Sequence, residues 1–160
     1  MTLISGGDRD QLVKELERAK NELRASYEGL SEERMMRPGA VGEWSVKDVL
    51  THVASWEEVA LPDLARLARG DTPTLASIDL YSTSFDDFNA LIMSLRRNLS
   101  LDQVLRELDI VRADFMAAVS LLPDPVLAEG QFGRMLVQIT AEHDREHAEG
   151  IRQWRQKEGL

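Results

Sequence analysis

Two of the chain's three histidines, His143 and His147, stand four residues apart in the stretch Glu142-His143-Asp144-Arg145-Glu146-His147. On a helix such positions share one face, one turn above the other. Imidazoles held that way can bind a single divalent cation, their nitrogens converging about 2 Å from a shared point. The stripe through the pair reads Leu136, Thr140, His143, His147, Ile151 and Trp154, with Val137 and Gly150 beside it. It predicts that the histidines face inward and that Glu142, Asp144, Arg145, Glu149, Arg152 and Arg155 form a solvated face. Taken alone, the pair is better explained as two histidines at the core margin, hydrogen-bonded to carbonyls.

His52 changes that balance. It falls on an apolar stripe of its own, Val49, His52 with Val53, Trp56, Val59 with Ala60, Leu64 and Leu67. Packed helices stand about 8–10 Å apart between axes, a gap that opposed imidazoles and a metal can fill. Three unpaired imidazoles in an apolar core would each lose hydrogen bonds to water, and a shared cation removes much of that cost. Structural zinc sites usually close with four protein ligands, whereas three histidines leave a position open for water or substrate. Binding requires neutral imidazoles, so it should weaken as pH falls. Zinc or nickel suits such ligands, and iron or manganese is admissible.

Other residues carry two readings each. Asp48 lies one turn before His52 and could orient its imidazole, although a capping role suits it better. Glu142 and Glu146 each precede a histidine and point about 100° away from it, as a solvated face would. Either becomes a base for a metal-activated water only if the chain folds around it. Trp56 and Trp154 share the histidine stripes and either wall the site or simply pack. Tyr81, in a long connection, could reach over the open mouth as an acid or hydrogen-bond donor. No catalytic residue is assigned, for no Gly-x-Ser-x-Gly elbow, phosphate loop or dinucleotide fingerprint occurs.

The elements that must position these residues are helices. Asp8 can cap a helix over 8–28, with Leu12, Leu16, Ala19, Leu23 and Tyr27 inward. Ser31-Glu32-Glu33 starts one short turn, stopped by Pro38 and Gly39. Ser45 and Asp48 form a capping box for a helix over 45–69, with Trp44 placed to staple onto Val49. Pro62 should kink or shorten that helix. Residues 70–83 carry no period, which marks a crossover or a functional loop. A shorter helical piece at 84–97 follows. Ser100 and Gln103 box the start of a helix over 100–122, which Pro123-Asp124-Pro125 ends. The last helix, 133–157, carries the histidine pair. With no period-two segment, the pattern predicts an all-α, single-domain four-helix bundle over residues 1–160, with a long crossover connection.

Composition narrows the partners. The 160 residues, 43% apolar and 29% charged, are those of an ordinary globular domain. A net charge of −9 argues against nucleic acid and against an anionic membrane, leaving a small-molecule ligand or substrate. With no cysteine, any thiol in the chemistry must be an external low-molecular-weight one. Neither a signal peptide nor a spanning segment is visible, which predicts a cytoplasmic protein. Phe85, Phe88, Leu91, Ile92, Met93 and Leu95 crowd one short helix and predict a homodimer that uses 84–97.

The stretch Gly42-Glu43-Trp44-Ser45-Val46-Lys47-Asp48-Val49-Leu50-Thr51-His52-Val53-Ala54-Ser55-Trp56-Glu57 resembles the signature of the DinB-like superfamily, which includes the DinB/YfiT proteins and the ClbS/DfsB group. Glu142 to His147 resembles that family's C-terminal His-x-x-x-His. Phe85-Asp86-Asp87-Phe88-Asn89-Ala90 and Arg96-Arg97-Asn98-Leu99-Ser100-Leu101 are similar to the middle of certain members. The resemblance implies a DinB/YfiT-like four-helix bundle, frequent homodimers, and one divalent ion on His52, His143 and His147. It also implies activities that range from thiol-dependent transfer, using bacillithiol, mycothiol or glutathione, to hydrolysis. The expected function is therefore a metal-dependent hydrolase or thiol S-transferase. The alternative is a non-catalytic, stress-related protein that binds a metal or small ligand.

Overall fold

Side-chain caps open three of the helices of the computed structural model, which describes residues 6–75 and 85–160. After α1 (Gly6–Tyr27), the Ser31 hydroxyl caps the short α2 (Glu32–Met36). Ser45 Oγ accepts from the Asp48 N–H while Asp48 Oδ2 accepts from the Ser45 N–H, and α3 (Val46–Ala68) starts there. The short α4 (Phe85–Arg96) precedes a second reciprocal box, Ser100 with Gln103, which opens α5 (Leu101–Ser120). A single 3-10 turn at Asp124–Leu127 leads to α6 (Phe132–Glu158), which ends on Gly159 in the left-handed region. No strand occurs among the described residues, so the chain is all-α as the periodicity predicts. No helix is long and apolar enough to cross a membrane.

Two boundaries differ from the sequence expectation. The first helix begins at Gly6, so Asp8 lies within its first turn rather than capping it, where it still favours the positive end of the helix dipole. Pro62 does not shorten α3, which runs on to Ala68. Pro62 and Glu58 are both exposed, so the carbonyl that loses its partner can turn to water.

The four long helices pack with α1 against α6 and α3 against α5, while α3 also meets α6. Two apolar clusters show how they run. One joins Leu23 of α1, Val46–Ala54 of α3, Leu101–Leu108 of α5 and Ala148–Trp154 of α6. The other joins Leu12–Ala19, Ala60–Leu67, Phe115–Leu122 and Val137–Ala141 of the same helices. Thus α1 is parallel to α6, α3 is parallel to α5, and the two pairs run oppositely. A parallel return from α3 to α5 needs a connection along the length of the fold, and residues 69–100 supply it.

Between the two clusters lies a charged layer, one residue from each long helix. Lys20 Nζ donates to Glu57 Oε1 at 2.9 Å. The Arg112 guanidinium donates to Asp144 Oδ1 at 2.7 Å and stands 3.4 Å from Glu57. Asp144 is fully buried and Glu57 only 3% exposed. The sequence reading had placed Asp144 on a solvated face. The buried arc of α6 instead runs Gly133, Val137, Ala141, Asp144, Ala148, Ile151, one residue around from the expected stripe, and the histidines fall on its edge.

The crossover helix α4 buries none of its residues. Phe85 and Phe88 turn onto Trp56, with ring centroids 5.8 and 4.6 Å away. Of the apolar side chains expected to face a second copy, Phe85, Leu91 and Leu95 are exposed, at 45%, 56% and 75%.

Candidate metal centre

His52 comes from the second turn of α3, and His143 and His147 from successive turns of α6, where the two helices cross. The Nε2 atoms of His52 and His143 stand 2.8 Å apart, and those of His143 and His147 3.0 Å apart. Ligand atoms from all three lie within 4.8 Å of one another. A neutral imidazole has one N–H, and any hydrogen on His143 Nε2 can serve only one of its two neighbours. A cation at about 2.0–2.1 Å from each nitrogen resolves the crowding, because a tetrahedral site has edges of about 3.3 Å between ligands. The donor set therefore fits one divalent ion.

Burial prepares these rings to be ligands. It pushes His52 down to about 3, with His143 and His147 adding to the shift. Burial also takes His143 to about 4, helped by Arg112, and His147 to about 4, helped by His143 and opposed by Glu146. All three are neutral at pH 7, with their lone pairs available.

The surroundings hold the rings in place. A Cβ on Gly150 would meet Val41 Cγ2 at 3.1 Å, so the glycine lets the turn Val41–Trp44 lie close on α6. That turn puts the Trp44 ring 4.9 Å from His52. On the other side, Trp56 Nε1 donates to Asn89 Oδ1 at 3.0 Å, tying α4 to α3 beside the histidines. A cavity of about 530 Å³ opens over the histidines. Its wall is Trp44, Trp56 and Phe85 on one side and Phe132, Met135, Leu136 and Ile139 of α6 on the other.

The other sequence candidates separate. Trp56 and Glu146 line this cavity, and Asp48 is committed to its cap. Trp154 is buried in the core away from the cavity wall, and Glu142 lies on a groove between α1 and α6. Tyr81 lies outside the described residues. Sequence reasoning missed Trp44 and Glu57 as wall residues and Asn89 as the partner of Trp56. For Glu57 a signal existed: it occupies an inward slot between Ala54 and Ala60.

The sequence profile of the DinB superfamily matches residues 15–151. The chain belongs to that superfamily. No curated protein matches it at a significant level. Among solved structures, this DinB-superfamily chain is similar to DfsB, described as a sibling lethal factor precursor, with a TM-score of 0.76 and 13% identity over 94% of this chain and 96% of that one. An uncharacterised protein from Escherichia coli UTI89 gives 0.73 and 17% identity over 95% of each chain. The colibactin self-resistance protein ClbS, solved in complex with double-stranded DNA, gives 0.71 and 15% identity over 92% of this chain and 94% of its own. At these identities the likeness is one of fold.

The ClbS complex corrects one expectation. A net charge of −9 argues against a nucleic-acid partner, yet a protein of this fold binds a duplex. Whole-chain charge sets only the average field, whereas a duplex meets one local face, so the expectation does not stand.

Proposed function

We propose that this protein is a metal-dependent enzyme in which His52, His143 and His147 hold one divalent ion at the floor of the apolar cavity. The convergence of three Nε2 atoms beneath a cavity of about 530 Å³ carries this reading. A divalent ion there supplies Lewis acidity, which makes water or an external low-molecular-weight thiol nucleophilic at neutral pH. The chain's own part is to keep three imidazoles neutral and to orient a ligand against aromatic walls. Zinc or nickel suits the all-imidazole set, with iron or manganese as further candidates.

The deciding experiment is elemental analysis of protein purified without a nickel column, paired with a His52→Ala variant. About one equivalent of metal in the parent, lost in the variant, supports the site. A metal-free parent, with zinc bound equally well by the variant, sinks it. Turnover of a panel of electrophiles that disappears on chelation and returns with metal then supports an enzyme.

The second reading, a binding protein without turnover, draws on one observation. Glu57, the buried carboxylate of the cavity wall, has its Oε1 held by both Lys20 and Arg112, which ties it to the charged layer rather than to the histidines. Stoichiometric ligand binding without turnover would favour it. In either reading a homodimer would pack through Leu91 and Leu95. Light scattering of Leu95→Glu against the parent tests that.

A further inference from the structure

The cavity wall distinguishes among ligands by charge. Its ionisable groups are the three histidines of the triad and two glutamates, Glu57 and Glu146. No lysine or arginine lines it among the described residues. Residues 76–84 hold no lysine or arginine in the sequence. The nearest buried cations, Lys20 and Arg112, lie behind the wall and are already paired with Glu57 and Asp144. Most of the remaining surface is aromatic or aliphatic.

We infer that this cavity takes an apolar ligand without negative charge, and that the nucleophile served by the site is water rather than a peptide or sugar thiol. Away from the ion's own position, a carboxylate laid against such a wall loses its hydration and gains no cation in return. Glutathione and bacillithiol carry carboxylates, and mycothiol carries many hydroxyls. Against these the wall offers few polar partners, Asn89 and Thr140 beside the acceptor-only Glu57 and Glu146. A neutral apolar body is desolvated favourably between Trp44, Trp56 and Phe132. A cationic group is accepted too, because aromatic faces and Glu146 both attract it. Only the identity of the nucleophile rests on the metal reading; the selectivity of the wall does not.

Three probes that share one ring system read the wall directly: naphthylmethanol, naphthylmethylammonium and naphthoate. Their affinities are measured by calorimetry on the full-length protein stripped of metal, so that naphthoate cannot gain by ligating an ion. The neutral and cationic probes should bind at least about tenfold more tightly than naphthoate, a gap of about 1.4 kcal/mol. Ile139→Arg, at an exposed position on the rim, should raise naphthoate affinity relative to naphthylmethanol by a similar factor. On metal-loaded protein, none of the three thiols should displace naphthylmethanol. Equal or tighter naphthoate binding in the parent, an Ile139→Arg variant with unchanged preference, or displacement by a thiol each overturns the inference. If His52→Ala still binds zinc but the probe ranking holds, the metal site fails and the wall's selectivity stands.

Discussion

Lys20, Glu57, Arg112 and Asp144 cancel one another's charge across the middle of the fold, whereas His52, His143 and His147 converge on one another beneath an open cavity. Both groups are polar atoms taken out of water, and they meet the cost differently. The charged layer is closed: its members come from all four long helices, and its ion pairs are sealed between two apolar clusters. Even so, Glu57 Oε2, Arg112 Nε and Asp144 Oδ2 have no protein partner, so the layer is not fully satisfied. The histidine group is open, with three nitrogens aimed at one point beneath a cavity. The layer should therefore matter to folding, and the triad to binding.

The sharpest way to separate them is to remove one member of each. Arg112→Met leaves two buried carboxylates short of a cation, and loss of one partner from a buried pair costs about 3–5 kcal/mol. Urea unfolding of metal-free protein should show that loss, with zinc affinity of the folded variant nearly unchanged. His52→Ala should do the reverse. Zinc affinity by competition with a chelator should fall at least about 100-fold, the upper end of what loss of an outer partner alone costs. The midpoint of metal-free unfolding should barely move.

Acidification sets the two groups against each other. The histidines are depressed from 6.5 to about 3–4 by burial, so between those values the unfolded chain binds protons that the native state refuses. Their contribution to stability is present above pH 6.5 and is lost as pH falls toward 4. Asp144 has the opposite sign. Burial raises it from 3.8 to about 6 although Arg112 works against the shift, so the native state holds a proton there that the unfolded chain gives up. At pH 5, unfolding of metal-free protein should take up about two protons net, about three by the imidazoles less about one from Asp144. Calorimetric unfolding in buffers of different ionisation enthalpy measures this, and net release would contradict it. Bound metal should likewise be retained to about pH 5, below the range expected of exposed imidazoles.

The smallest effect belongs to Asn89→Ala. Losing its hydrogen bond from Trp56 should cost about 1 kcal/mol or less in stability. A red-shifted Trp emission with unchanged metal content would show that Asn89 positions the wall rather than the ion.

The same comparison shows what could be read from the chain alone. Helix starts were legible because a cap is a local event: Ser45 with Asp48 and Ser100 with Gln103 need only residues three apart. The triad was legible because histidine is rare here and all three fell near apolar stripes. The charged layer was not, since a charged residue at an inward slot looks like a solvated one until its partners on other helices are known. A trace of it was present. Gly133, Val137, Ala141, Ala148 and Ile151 step through α6 by threes and fours, and Asp144 fills the vacancy in that ladder. Lys20 fills the matching step between Leu16 and Leu23, and Arg112 the one between Leu108 and Phe115.

Helix α4 walls the cavity while contributing nothing to the interior. Substitutions at Phe85 or Asn89 can reshape what the site accepts, and the two apolar clusters that hold the fold together do not register them. Selection can therefore revise the guest without renegotiating the scaffold. Relatives sharing this architecture at 13–17% identity have room to diverge most along this one side.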